Sequence, residues 1–163
     1  NALGLNFNLE YSQFLVKDPS NYYDISWINA AKLGTIYTNI SSGFYARIGF
    51  KSLAKITNSI AFNTNVNNEK TNFNRAVESF LYIKPMVLYS LYDATLQGSF
   101  LNTTSPVTTE LVPLIFHLEA GIKFTANSFN FGYAFNYSTN KSKELRNDNG
   151  NIYGSISIHY LLH

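Results

Sequence analysis

Residues 129–138 read Phe-Asn-Phe-Gly-Tyr-Ala-Phe-Asn-Tyr-Ser: Phe129, Phe131, Tyr133, Phe135 and Tyr137 alternate with Asn130, Gly132, Ala134, Asn136 and Ser138. A period of two places every aromatic ring on one face of a β-strand and every small or polar residue on the other, a sorting no helix achieves. The same grammar runs upstream, where Val112, Leu114, Phe116, Leu118, Ala120, Ile122 and Phe124 oppose Pro113, Ile115, His117, Glu119, Gly121 and Lys123. It returns near the C-terminus, with Ile152, Gly154, Ile156, Ile158, Tyr160 and Leu162 opposite Tyr153, Ser155, Ser157 and His159. It also governs the start, where Leu3, Leu5, Phe7, Leu9 and Tyr11 oppose Gly4, Asn6, Asn8, Glu10 and Ser12.

The middle of the chain predicts strands over 22–33 and 36–49, divided at Leu33-Gly34-Thr35, where glycine offers the backbone freedom a turn uses. A further strand is expected over 77–91, with Leu81, Ile83, Val87, Tyr89 and Leu91 on one face. Pro85 interrupts it and, lacking a ladder donor, implies a bulge or a local edge. The Asn-rich stretch 51–76 reads as a connecting loop, with a short helix or a missed strand around 53–63 as alternatives, and 92–110 reads as a long loop. Asp18-Pro19-Ser20, Ala126-Asn127-Ser128 and Asn147-Asp148-Asn149-Gly150 mark tighter turns. The count is about seven strands of roughly 11 to 16 residues each, against about 5 or 6 in an ordinary soluble strand.

Composition narrows the environment. The 163 residues suit one domain, and only 13% are charged against roughly 25% in an average soluble domain, while Tyr and Phe number 12 and 13. A net charge of +2, scattered along the chain, gives no basic patch for nucleic acid. Without cysteine there is no disulfide framework and no thiolate chemistry. No apolar run is long enough for a transmembrane helix, but a barrel strand needs only one apolar face. Long strands with an aromatic face and an Asn, Ser, Gly and Thr face therefore predict an all-β, antiparallel transmembrane barrel in the outer membrane of a Gram-negative bacterium. A soluble barrel or sandwich is the competing fold, and it would turn the aromatic face inward. Seven strands is an odd number, and an open edge in hydrocarbon leaves backbone groups unpaired. With Asn1 already in strand grammar, the expectation is that partner strands lie outside residues 1–163.

Several landmarks carry a family resemblance. They are Asn1-Ala2-Leu3-Gly4-Leu5-Asn6, Ala31-Lys32-Leu33-Gly34-Thr35-Ile36-Tyr37-Thr38, Gly43-Phe44-Tyr45-Ala46-Arg47-Ile48-Gly49, Tyr92-Asp93-Ala94-Thr95-Leu96-Gln97-Gly98 and Tyr153-Gly154-Ser155-Ile156-Ser157-Ile158. In this order and spacing the chain resembles the C-terminal part of the outer-membrane lipid A 3-O-deacylases. The resemblance implies a barrel of about twelve strands, of which these would be the last seven. It implies removal of the 3'-linked acyloxyacyl chain from lipid A, with calcium as cofactor and lipopolysaccharide and membrane lipid as partners. It also places the catalytic His and the calcium ligands in an N-terminal half that precedes Asn1. No catalytic or metal residue is thus carried onto this chain, which by itself is expected to be inactive.

Within the chain, interior polar candidates follow from strand parity: Glu10, Arg47, Lys84, His117, Glu119, Lys123 and His159. His117 and Glu119, two apart, point into one lumen, where a polar network is the plain reading and an oriented imidazole the sharper one. Glu10, Arg47, Lys84 and Lys123 form interior ion pairs if their strands adjoin. Trp27, Tyr22, Tyr23, Tyr92 and Tyr160 are candidates for interfacial girdles. Lys141, Lys143 and Arg146 offer charge-assisted bonds to lipid phosphates, with loop solvation as the simpler role. No nucleophile elbow, phosphate-binding loop or zinc motif occurs. The alternative to a hydrolase is a non-catalytic structural or accessory outer-membrane barrel.

Overall fold

A computed structural model describes residues 4–54, 77–98, 109–126, 129–143 and 150–160. They form β1 (Asn6–Lys17), β2 (Tyr23–Gly34), β3 (Tyr37–Gly49), β4 (Glu78–Asp93), α1 (Ala94–Gln97), β5 (Leu114–Ala126), β6 (Phe129–Ser138) and β7 (Asn151–Tyr160). The seven strands make one antiparallel sheet in the order β1-β2-β3-β4-β5-β6-β7. Each strand pairs with its sequence neighbours, the simplest topology for strands joined by reversals. No described helix is long and apolar enough to cross a membrane.

Register converts the two-residue period into two chemically different surfaces. On the inner, concave side, Asp24 stands opposite Arg47, Ser26 opposite Tyr45, Tyr82 opposite Gly121, Lys84 opposite Glu119, and Asn136 opposite Tyr153. On the outer side, Trp27 stands opposite Phe44, Ile83 opposite Ala120, and Phe131 opposite both Phe124 and Ile158. The outer side chains remain exposed, with Phe44 at 50% and Ile48 at 63%, whereas Asp24, Arg47 and Glu78 are buried. A soluble fold would bury the first set and wet the second. The arrangement is that of a membrane barrel wall, aromatic outward and polar inward.

Two local expectations are corrected. Gly34 does not adopt a left-handed backbone; glycine is required because a Cβ there would meet the Leu5 carbonyl oxygen at 2.4 Å. Pro85 creates neither a register shift nor an edge. β4 is central, and the β3–β4 register is the same on both sides of Pro85, from Gly43↔Met86 to Ala46↔Ile83. The β3–β4 pairing lapses at Phe44 and Tyr45 and resumes in the same register, and the Pro85 carbonyl lies close to Gly43, where a Cβ would be 2.1 Å from it. Register shifts occur instead between Phe14 and Val16 in β1 and between Thr38 and Asn39 in β3.

The connections follow turn chemistry where they are described. Asn21 takes a positive φ of 59°, its N–H donates to the Asp18 carbonyl, and Asp18 Oδ2 accepts from Tyr22 N–H. The expected loop after Tyr92 is partly ordered into α1, which Asp93 caps by accepting from Thr95 N–H. The possible extra strand around 53–63 lies mostly outside the described residues. Its described beginning turns inward instead: Leu53 is buried and donates its N–H to the Asn21 carbonyl at 2.6 Å.

The sheet is an arc rather than a closed ring. β1 and β7 are its two ends, and neither pairs with the other. Tyr23, Phe129 and Tyr160 gather at one end of the wall and Tyr37 and Tyr137 at the other, as two interfacial girdles would require. Tyr92 is half-buried, its hydroxyl donating to the Gly98 carbonyl at 2.7 Å, and Trp27 sits within β2 rather than at its end.

Candidate functional site

The concave face holds the chemistry of the chain. Its deepest feature starts from direct opposition of Asp24 and Arg47 across β2–β3. Arg47 donates to both Asp24 carboxylate oxygens, through Nε at 2.9 Å and through Nη2. Arg47 Nη1 lies 3.6 Å from Glu78 Oε1, and its guanidinium lies over the Phe80 ring, 5.3 Å from the centroid. All three charged groups are buried, Arg47 at 1% exposure and the two acids at 4%. A planar guanidinium satisfies two carboxylates in this way because its donors form a fixed fork.

The same cluster clamps the chain that follows β3. Arg47 Nη2 donates to the Ala54 carbonyl at 3.2 Å, and Ala54 N–H donates to Glu78 Oε1 at 3.1 Å. The segment 50–54 is thus drawn across one end of the concavity. Asp24 and Glu78 escaped the sequence reading; Asp24 shares strand parity with buried Ser26 and Ile28, and that alternation is the signal that would have found it.

Further along the same face, Tyr82 donates its hydroxyl to Glu119 Oε1 at 2.6 Å, and Lys123 Nζ lies 5.7 Å from the Tyr82 ring centroid. Tyr45 packs on Tyr82 with ring centroids 5.5 Å apart. Glu10, Ser12, Lys84, Glu119 and Lys123 border a cavity of about 160 Å³, so β1 and β5 face each other across the bend of the sheet. The expected ion pairing is therefore rearranged. Arg47 is matched by Asp24 and Glu78, whereas Glu10 stands exposed on β1. Lys84 and Glu119 do stand opposite each other.

His117 and Glu119 share the predicted face but do not form a hydrogen-bonded pair, because Glu119 is held by Tyr82 while His117 stands opposite Met86 and Ser138. His117 instead lines a cavity of about 560 Å³ with Lys141, Ser138 and Tyr153. His159 has interior parity opposite Asn130 but is exposed, since β7 has no further strand beyond it. Lys143 Nζ is engaged by Glu110 Oε1 at 2.6 Å, an exposed pair that ties 109–113 to 139–143. Arg146 lies outside the described residues.

This arrangement does not fit a calcium ion. Among the described residues no cluster of acids and histidines is placed to hold a metal. Where two carboxylates do converge, at Asp24 and Glu78, Arg47 supplies the positive charge between them. Nor does any described Ser pair with a His base to form an activated nucleophile. The interior is a polar core organised around the Arg47–Asp24–Glu78 cluster and the Tyr82–Glu119 hydrogen bond.

The family model for outer membrane protein LpxR matches residues 1–162. The chain belongs to the LpxR outer membrane protein family. No curated protein sequence matches it. Among solved structures, LpxR from Salmonella typhimurium is similar over 98% of this chain with a TM-score of 0.69 at 13% identity. At that identity the likeness concerns the fold. The chain spans 52% of the length of that solved LpxR chain. LpxR family membership assigns this protein to the outer membrane of Gram-negative bacteria.

Proposed function

We propose that this chain is the C-terminal wall of a lipid A 3-O-deacylase-like hydrolase that removes the 3'-linked acyloxyacyl chain, with the catalytic residues in an N-terminal half. The observation that carries this reading is the arc itself. Among the described residues seven strands end in two unpaired edges, and the chain spans 52% of the length of a similar structure. Each unsatisfied backbone group in hydrocarbon costs several kcal/mol, so the edges call for partner strands. The chain's own contribution is then specific. Arg47, Asp24 and Glu78 fix the curvature and one end of the interior, while the outer aromatic surface sets the height of the wall in the bilayer. Lipopolysaccharide is the lipid it meets, and any calcium required for activity is held outside this chain.

The test is hydrolysis by the full-length protein in outer-membrane vesicles, read by the mass of the lipid A product. Loss of the 3'-acyl ester, abolished when the upstream His is replaced, supports the proposal. A full-length barrel that leaves lipid A intact, with no His and polar cluster upstream, would make the protein a non-catalytic member of its family.

A further inference from the structure

The outer wall of β2 and β3 carries a polar group where an apolar one belongs. Asn29 and Ser42 oppose each other near the middle of these strands, on the face that otherwise shows Trp27, Ile40 and Phe44 to lipid. The group is internally ordered. Trp27 Nε1–H donates to Ser42 Oγ at 2.8 Å, and the Ser42 hydroxyl donates to Asn29 Oδ1 at 2.9 Å. This chain orients the Asn29 amide, and its Nδ2 donors have no acceptor among the described residues.

Beside the amide the wall is hollow. Small Ala31 lies between Leu9 and Tyr11 on one side and Ile40, Val87 and Tyr89 on the other, leaving a depression of about 430 Å³. A polar side chain at this depth is costly against plain hydrocarbon and becomes tolerable when it finds a partner. Inside the hydrocarbon layer water is scarce, and ester oxygens lie near the interfaces. A hydroxyl carried on the chain of a lipid would supply an acceptor at mid-wall.

We propose that this depression holds one acyl chain of a bilayer lipid and that Asn29 donates to a hydroxyl borne on that chain. The occupant is lipid because the surface is continuous with the membrane-facing wall of an outer membrane protein. Selection comes from the amide, since a plain chain fills the hollow but leaves Nδ2 unpaired. The inference stands on the lipid-facing geometry alone and holds whether or not the complete barrel hydrolyses an ester.

Trp27, the one tryptophan in this chain, reports on the site. Full-length protein is reconstituted in phosphatidylcholine vesicles whose acyl chains are brominated at mid-chain, and Trp27 emission is isolated by subtracting a Trp27→Phe variant. Bromine should quench Trp27. Phosphatidylcholine with a mid-chain hydroxyl should then restore emission roughly two- to tenfold more effectively than the same lipid without it, the range one net hydrogen bond gives. Asn29→Leu should erase that difference while quenching persists, and Asn29→Val serves if leucine overfills the hollow. Equal restoration by both lipids, or a preference that survives in Asn29→Leu, would overturn the proposal. So would a Trp27 that bromine never reaches, the result expected if a second protein copy covers this wall.

Discussion

The centre of the arc and its two ends are built from the same alternating sequence yet differ in burial. On β4, inner residues such as Glu78, Phe80, Tyr82 and Met86 are buried while Leu81, Ile83 and Val87 are exposed. On β1 every described side chain is exposed, Phe7 at 75%, and β7 is nearly the same, with Ile156 at 68%. The difference does not lie in residue type. β4 has neighbours on both sides and side chains facing it across the curve, whereas β1 and β7 each have one neighbour. Burial in a barrel is a property of closure, and an edge strand acquires it only from the next strand round.

The comparison can be broken most directly by hydrogen exchange on the full-length protein in vesicles. Backbone amides on the free edges of β1 and β7 should be protected to the level of those in β4; rapid exchange there would mean that the arc stays open. Replacing Arg47 by Met should cost about 3–5 kcal/mol of barrel stability in urea titrations, because Asp24 and Glu78 would remain buried without their cation. On the lipid side, Phe44→Arg should destabilise the barrel by roughly 2–4 kcal/mol in vesicles, since Phe44 faces outward near mid-strand. Gly43→Ala should cost about 1–3 kcal/mol through collision with the Pro85 carbonyl. The smallest effect belongs to the loops: Lys143→Ala should change stability by less than about 1 kcal/mol, because its pair with Glu110 is solvated.

Much of this wall was legible from parity. The alternation in 129–138 and 112–124 assigns each residue to a face without reference to its partners, and the register sets His117 opposite Met86, Glu119 opposite Lys84 and Lys123 opposite Phe80. Parity could not say which charges meet. Arg47 finds Asp24 through the offset of β2 against β3, and Glu78 through the bend that brings the start of β4 beneath it. Glycine and proline were legible as special positions, though not for the expected reasons. Gly34 serves close strand approach, and Pro85 lies within a central strand with Gly43 packed close to its carbonyl.

The sequence by itself determined that the chain is a set of long alternating strands and how their residues sort onto an aromatic and a polar face, because side-chain direction in a strand depends only on odd or even position. Tertiary structure decided the pairing of buried charges, the inward turn of 50–54, the hollow beside Asn29 and the two open edges. Those depend on register and curvature, which are set by contacts between strands far apart in the chain.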